Sequence, residues 1–302
     1  MLPDGFIFLQ RDWLSSNSLL LLNRDQSVLI DTGYSTHAEM TVSVIDVLLK
    51  GRSLDFILNT HLHSDHCGGN FLLQTLYPKV QIAVPITQLE SVILWDKDKL
   101  SYEKTGQSCE SFKPSRGLTA GSYLTLINLP WAVIASPGHD DDSLMFFQPD
   151  YRILVSADAL WESSVSVVFP EFDERNGFDH MFETFDQIEQ LNPAVVIPGH
   201  GNMFTDVNSA LAISRERLKF FKADPYSHAM YSAKVLIKFK LMEFRQVQVT
   251  EFIFWCLQSS LLLRIHELFF ASIQVNNWVQ TLLEDFHRKK SIKLQDGWII
   301  NL

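Results

Sequence analysis

Cysteine is scarce in this sequence, and its few copies form no recognisable pattern. Cys67, Cys109 and Cys256 are widely separated and make no CxxC pair, which argues against a disulfide framework and against a thiolate zinc site. The N-terminal residues MLPD lack a basic region followed by an apolar core. We therefore expect no secretory signal and a cytoplasmic location.

Long uncharged hydrophobic runs are also missing. The most apolar stretch, Phe252 to Ile273, contains Gln258, Arg264 and Glu267, whereas a membrane span needs about 20 residues with few or no charges. We interpret this stretch as a core helix and expect no membrane association. Because hydrophobic residues make up 46% of the chain and aromatic residues 12%, the chain can bury a sizeable core.

Positive charge is sparse in the first two thirds of the chain. Up to Leu218 there are 14 Lys and Arg against 28 Asp and Glu, and from Lys219 onward 11 against 7. The two parts thus carry −14 and +4, which suggests two units with different surfaces. A strongly acidic first unit attracts nucleic-acid phosphates poorly, so nucleic acid is not the expected partner.

Up to about residue 202, short apolar runs repeatedly precede polar residues. Bounded by turn residues, they predict five buried strands: Ser27 to Ile30, Phe56 to Leu58, Trp131 to Ala135, Ile153 to Val155 and Val195 to Ile197. Apolar residues from Phe178 to Ile188 recur at helical spacing and predict a helix against a sheet. Alternating strands and helices indicate a layered α/β domain with polar residues at strand ends.

The pattern changes near Asp224-Pro225, where a helix ends. This predicts two domains, residues 1–222 and residues 223–302. The second shows helical patterns near Ala229 to Phe244, Thr250 to Gln258 and Asn276 to Lys290. A hairpin follows, with a turn at Asp296-Gly297, and the whole is typical of a winged helix.

The strongest local signal is HLHSDH at residues 61–66, directly after a predicted strand. Histidines two apart can project to one side of an extended loop, and Asp65 and His66 then turn toward a second point nearby. Imidazole and carboxylate ligands suit zinc, iron or manganese. Three more candidate ligands follow predicted strand ends: His139, Asp158 and His200.

With these motifs, the sequence resembles the metallo-β-lactamase superfamily, in particular its glyoxalase II-like branch of thioesterases and related enzymes. The resemblance covers about Asn17 to Gly201 and implies a four-layer αββα sandwich. It also implies two divalent metal ions, with zinc as the first choice and iron or manganese as alternatives. One ion would be held by His61, His63 and His139, the other by Asp65, His66 and His200, and Asp158 would bridge them.

Such a pair of ions has a direct chemical use. Two ions about 3.5 to 4 Å apart can share a water, lower its pKa and present a bridging hydroxide to an electrophile. We expect Asp65 to accept the proton that is passed to the leaving group. Asp31, at the end of an early strand, would orient the histidine loop by hydrogen bonds, or is a plain turn-former.

The sequence departs from its relatives after His139, where Asp140 to Asp142 replace the usual Thr and small residues. These acids are either a solvated turn or a selectivity element that favours neutral or cationic substrates. The apolar segment that follows Asp158 either lines an acyl pocket, with Trp161 and Phe169 as substrate contacts, or is an ordinary core strand.

The leading functional hypothesis is hydrolysis of an ester or thioester of a small molecule. One alternative is a metal-dependent ribonuclease or phosphodiesterase, which the tail charge and the basic run Arg288-Lys289-Lys290 favour. Another is an iron-dependent persulfide dioxygenase. We interpret Lys234, Lys238 and Lys240 as a solvated helix face. The sequence is compatible with a homodimer and does not decide the oligomeric state.

Overall fold

The computed structural model describes residues 2–302, which form two compact units. Unit 1 consists of residues 2–100 and 108–220. Unit 2 consists of Ser101–Gln107 and Phe221–Leu302. The second unit thus begins two residues before the predicted start at 223, and it includes a short segment that no change of composition marks.

The first sheet of unit 1 has six strands that neighbour one another in chain order: β1 (Phe6–Leu9), β2 (Ser18–Leu22), β3 (Ser27–Ile30), β4 (Phe56–Leu58), β5 (Gln81–Pro85) and β6 (Arg116–Leu118). The pairs from β1 to β3 are antiparallel and those from β3 to β6 are parallel. The helices along this part of the chain are α1 (Ala38–Leu49), α2 (Ser64–Cys67), α3 (Asn70–Leu76), α4 (Leu89–Leu94) and α5 (Tyr102–Thr105), of which α5 belongs to unit 2.

The second sheet has five strands: β7 (Tyr123–Leu126), β8 (Leu129–Ala135), β9 (Leu144–Gln148), β10 (Ile153–Ala157) and β11 (Val195–Pro198). Their order is β11-β10-β9-β8-β7, and only β10 and β11 pair in parallel. The helices that follow are α6 (Gly177–Leu191) and α7 (Val207–Ala223). All five strands predicted from the sequence are confirmed to within two residues.

The two sheets share one apolar core, as the alternation of side chains along their strands requires. Leu19 and Leu58 of the first sheet lie in the same buried cluster as Trp131, Phe146 and Ile197 of the second. Residues that point to the other side of the first sheet, such as Leu20 and Leu29, are buried as well. Helices α1 and α6 each bury one apolar stripe, so helices cover the outer faces of the sheets.

Parallel pairing brings several strand ends to one edge of this sandwich. In the first sheet, Asp31 follows β3 and His61 lies just beyond β4. In the second sheet, Asp158 follows β10 and His200 lies just beyond β11. The backbone N–H of Leu144, at the start of β9, donates to the carbonyl of Thr60 at 2.8 Å and joins the two sheets there.

Unit 2 contains four longer helices: α8 (Pro225–Phe244), α9 (Val249–Cys256), α10 (Ser260–Phe269) and α11 (Val275–Arg288). It also has a three-stranded antiparallel sheet in the order β12-β14-β13, formed by β12 (Gln246–Gln248), β13 (Ile292–Gln295) and β14 (Trp298–Asn301). The predicted hairpin is confirmed, and positive φ angles at Asp296 and Gly297 form its turn. The assignment of the unit to the winged-helix class stays a prediction.

The apolar stretch Phe252 to Ile273 forms two helices, where the sequence predicted one. The chain breaks between α9 and α10 because the Ser259 hydroxyl caps α10 by accepting from the N–H of Leu262 at 3.4 Å. Each helix within residues 2–302 is, taken alone, too short or too polar to span a bilayer. Helices α9 and α10, bent by 76°, pass that test only as a pair, by length and composition.

The expectation that three lysines of α8 form a solvated face is wrong, because all three make internal contacts: Lys234, Lys238 and Lys240. Lys240 is buried and its Nζ donates to both carboxylate oxygens of Glu243, at 2.8 and 2.9 Å. Lys234 pairs with Asp285 at 2.6 Å, and Lys238 donates to the Asn301 amide oxygen at 2.7 Å. These cations hold unit 2 together.

His228 makes unit 2 sensitive to acid. Burial lowers the pKa of its imidazole to about 4, whereas an unfolded histidine titrates near 6.5. Between these values only the unfolded chain binds the proton, so the free energy of unfolding should fall as pH drops from 6.5 to 4, by up to about 3 kcal/mol. We expect His228→Gln to flatten this dependence in urea unfolding. Equal slopes for His228→Gln and the parent chain would contradict the prediction.

Candidate metal centre

Three imidazoles converge at the shared edge of the two sheets. The Nδ1 atom of His63 lies 3.1 Å from Nε2 of His61 and 2.9 Å from Nε2 of His139. Burial lowers the pKa of all three histidines, that of His139 to about 4, so the rings are neutral at pH 7. The Nδ1 atom of His139 donates a hydrogen bond to the Val167 carbonyl at 2.6 Å, so the Nε2 atom of the same ring carries a free lone pair. Lone pairs aimed at one point are what a cation needs.

A second group lies beside the first. The Nε2 atom of His200 is 3.0 Å from Oδ2 of Asp65. The Nε2 atom of His66 is buried without a hydrogen-bond partner among the described residues, 3.9 Å from Asp65 and 3.5 Å from Asp158. Asp158 also lies 3.4 Å from Nε2 of His139, so it stands between the two groups. A buried nitrogen without a partner is costly, and a metal ion would satisfy it.

The charges of the cluster favour a cation. Burial opposes ionisation of Asp158, but the nearby His66 and His200 outweigh it and hold the pKa of that carboxyl well below its usual range. Burial likewise opposes a charged His66, but Asp158 and Asp31 raise the pKa of its imidazole well above the usual value. The carboxylates thus select positive charge at this point. A metal ion bound here would replace the proton of His66, because only a neutral imidazole coordinates, and imidazoles combined with carboxylates fit zinc, iron or manganese.

The predicted site residues therefore lie together. The three groups of atoms that could each hold an ion are His61/His63/His139, His61/His66/Asp158 and Asp65/His66/His200. Within each group the ligand atoms lie no more than 4.8 Å from one another. Two of these groups match the two ligand sets that the family resemblance implies, and the third contains the proposed bridging carboxylate.

Asp31 fixes the histidine loop from behind. Its backbone is left-handed, with φ 56°, and its carboxylate accepts from the Thr60 N–H at 2.9 Å and the Thr60 hydroxyl at 2.8 Å. The same carboxylate lies 2.8 Å from Nδ1 of His66. A proton shared there leaves the other nitrogen of His66 to face the cluster. These contacts favour the orienting role of Asp31 over that of a plain turn-former.

Two irregular backbone features bring Asp158 into place. The register between β10 and β11 shifts between Val155 and Ala157, and Ala157 has φ 46°. This bulge turns the chain so that Asp158 points inward. Gly199 lies directly opposite, where a Cβ atom would overlap Oδ1 of Asp158 and come within 3.0 Å of Cε1 of His66.

The first two of the three consecutive acids after His139 point in different directions. The carboxylate of Asp140 approaches Nε2 of His63 at 3.6 Å, and burial together with Asp142 raises its pKa to about 6. Asp141 pairs with Arg175. Asp140 therefore faces the outer nitrogen of His63 while Asp141 is held by Arg175, and the segment is not a uniformly solvated turn.

Aromatic rings flank both ligand groups. Phe169 lies 5.4 Å from the rings of both His63 and His139. Trp161 donates from Nε1 to Asp158 at 3.2 Å. Sequence reasoning missed Trp13, which stacks on His200 at 5.4 Å with an interplanar angle of 8°. A single tryptophan in a polar loop shows no periodicity, so nothing in the sequence marked it.

Residues 11–200 match the family model described as the metallo-beta-lactamase superfamily. The chain belongs to the metallo-beta-lactamase superfamily. A metallo-beta-lactamase family protein from Thermus thermophilus has a similar fold, with a TM-score of 0.58 at 17% identity and full coverage of both chains. The FEZ-1 metallo-beta-lactamase from Legionella gormanii gives 0.57 at 12% identity, over 74% of this chain and 94% of that one. The predicted family and fold are confirmed.

Two curated relatives of this superfamily member are hydrolases. A hydroxyacylglutathione hydrolase from Francisella tularensis is 26% identical over 208 residues, which cover 67% of this chain and 71% of the relative. An acyl-coenzyme A thioesterase from Bos taurus is 25% identical over 230 residues, covering 67% and 80%. Family and relatives together identify the chain as a metal-dependent hydrolase.

Removing the carboxylate charge of Asp31 should weaken metal binding. In Asp31→Asn the acceptor of His66 Nδ1 becomes an amide, and loss of such an orienting contact typically costs 10- to 100-fold in metal affinity. A competition titration with a zinc chelator measures the change. Asp55→Asn is the matched control, because Asp55 accepts from the N–H of Ser27 at 2.8 Å at the opposite end of β3. Equal affinities for both variants would exclude the orienting role.

The two glycines around His200 should respond differently to alanine. In Gly199→Ala the new methyl group overlaps the Asp158 carboxylate, so we expect metal content to fall below one ion per chain. At Gly201, with φ 86°, a Cβ atom would meet nothing within 4 Å. Gly201→Ala should therefore keep its metal and lose only about 1 kcal/mol of stability to backbone strain. Elemental analysis of the two purified variants tests this, and a fully loaded Gly199→Ala protein would refute it.

Proposed function

We propose that this metal-dependent hydrolase cleaves an ester or thioester bond of a small molecule. The observation that carries the proposal is the pair of adjacent ligand groups, with neutral imidazoles in one and the His200–Asp65 contact in the other. The names of the two curated hydrolases support a thioester as the electrophile.

The residues fit two divalent cations, one held by His61, His63 and His139 and the other by Asp65, His66 and His200. Asp158 would be shared. When bound, such ions supply Lewis acidity, which activates water at neutral pH and stabilises the negative charge that develops on the substrate oxygen.

Asp65 is the residue we assign to proton transfer. Its side chain is 13% exposed, against 6% for Asp158, so a leaving group can reach it more easily. The contact with His200 and the charge of His66 lower the pKa of Asp65 against the effect of burial, so the carboxylate is ionised and can accept a proton. Asp65 would take this proton from the attacking water as the new C–O bond forms. When the C–O or C–S bond to the leaving group breaks, the proton passes to the alkoxide or thiolate, which departs as the alcohol or thiol.

The side walls of the site suit an apolar acyl group. Trp161 lies beside His200 at 5.4 Å, and Phe169 packs on the other ligand group. Both rings exclude water from the reacting carbonyl and offer apolar surface. We therefore keep Trp161 and Phe169 as the proposed substrate contacts.

The phosphodiesterase alternative receives less support. Arg288 and Lys289, which belong to the basic run of the tail, both pair with Asp285, at 2.6 and 3.2 Å. Their charge is thus partly balanced within unit 2. The dioxygenase alternative needs a single iron, whereas the residues offer ligands for two cations.

The test is turnover of a panel of thioesters, esters and lactones by the zinc-, iron- and manganese-loaded protein. We expect chelation to abolish turnover and Asp65→Asn to lower kcat/KM by about 10²- to 10⁴-fold. Glu216→Gln, on the exposed face of α7, is the matched control and should leave kcat/KM unchanged. No turnover on the panel by any metal form would overturn the proposal. RNA cleavage, or oxygen consumption with a persulfide by a one-iron form, would favour the alternatives.

A further inference from the structure

The indole of Trp13 offers an apolar surface beside the metal centre. Its side chain is 52% exposed, although it stacks on His200 and meets Trp161 edge-on, with 5.4 Å between ring centroids. Trp161 in turn stands edge-on to His200. The two tryptophans thus form one surface, which we call the tryptophan wall, with one indole half open to solvent. An exposed aromatic surface at a ligand group is suited to stack an apolar group.

The loop that carries Trp13 is held in place before any substrate arrives. The Asp12 carboxylate accepts from the N–H groups of Leu14 and Ser15, at 3.0 and 3.2 Å. The N–H of Ser16 donates to the carbonyl of Asp65 at 2.9 Å. Asn17 donates through its backbone N–H to Gly199 and through its side chain to the carbonyls of Pro198 and Gly201. The wall is therefore preorganised, which lowers the entropic cost of binding.

The residues next to the wall carry negative charge. Asp12 precedes Trp13 with 62% of its side chain exposed, and Glu162 follows Trp161 in an exposed position. On the other side of the cluster, Asp140 keeps 20% of its side chain exposed. Of the two nearest cations, Arg175 pairs with Asp141 and Asp173, and Arg11 is half-buried and turned toward the Thr41 hydroxyl, to which it donates at 2.9 Å. The charge of bound metal ions would be partly balanced by Asp65 and Asp158, so a polyanionic carrier that lies along the wall would meet the like charges of Asp12 and Glu162.

We propose that the site selects substrates with an uncharged leaving group and an apolar portion that stacks on the tryptophan wall, and discriminates against polyanionic thiol carriers. This inference rests on the proposed ester or thioester hydrolysis. The two curated relatives are named for thioesters of glutathione and coenzyme A, which carry several carboxylates or phosphates. Thioesters of these two carriers would then be poor substrates for this chain.

The first experiment compares one acyl group on three carriers. Octanoyl thioesters of N-acetylcysteamine, glutathione and coenzyme A differ in charge but present the same carbonyl. We expect kcat/KM to be at least tenfold higher for the uncharged carrier, with a gap that narrows as salt screens the repulsion. Asp12→Asn combined with Glu162→Gln should narrow the gap at least threefold. The control pair Asp25→Asn with Glu216→Gln, elsewhere on unit 1, should leave it unchanged.

The second experiment tests the wall itself. Trp13→Ala should raise KM for octanoyl thioesters at least fivefold relative to acetyl thioesters, with little change in kcat, and Trp13→Phe should restore most of the difference. Tyr123→Ala, which removes a 71% exposed ring from β7, is the matched control. Metal content, measured on each variant, separates a loss of stacking from a disturbed His200.

A binding measurement keeps the inference independent of turnover. In titration calorimetry, non-hydrolysable S-octyl thioethers of the three carriers should give the lowest Kd for the uncharged one, and Trp13→Ala should raise that Kd. If no ester or thioester is hydrolysed while this order of binding holds, the proposed reaction fails and the selectivity stands. If coenzyme A or glutathione derivatives bind or react as well as the uncharged ones, the selectivity is wrong whatever the reaction.

Discussion

The arrangement of side chains at the metal centre depends on the attraction between buried carboxylates and positive charge. Asp158, Asp65 and Asp31 lie around a His66 ring whose inner nitrogen has no hydrogen-bond partner in the described chain. Burial of such charges is tolerable only where an opposite charge balances them. The fold meets this constraint with strand ends from two sheets, because one short segment cannot surround a cation by itself.

Local motifs made part of this site predictable from the sequence. His61, His63, Asp65 and His66 are neighbours in the chain, and the apolar run of β4 in front of them marks the strand that presents them. Asp158 and His200 could be placed because their strands are short, buried and bounded by turn residues. The match of the family model to residues 11–200 confirms the fold that these patterns indicated.

The remaining features depend on contacts between distant residues, which no local pattern encodes. Trp13 reaches His200 across the sandwich edge, and Cys67 and Cys109 have sulfur atoms 3.7 Å apart although the spacing of the cysteines suggested no relation. Lysine is a residue type that usually lies on the surface, yet Lys240 is buried beside Glu243. Hydrophobic periodicity reports which face of a helix is apolar, but not which charge will find a buried partner.

The hydrogen bonds from Asn17 to Pro198 and Gly201 have a consequence for biosynthesis. They close a loop of more than 180 residues, and the ligands themselves span residues 61 to 200. The N-terminal part of the chain leaves the ribosome first, so the first sheet can form while the second is still being synthesised. Contacts at such sequence separation are slow to form, and the complete centre requires His200, so it can form only after both sheets of unit 1 have been synthesised. Until then the histidine loop offers a metal ion only part of the ligand set and therefore binds it with lower affinity.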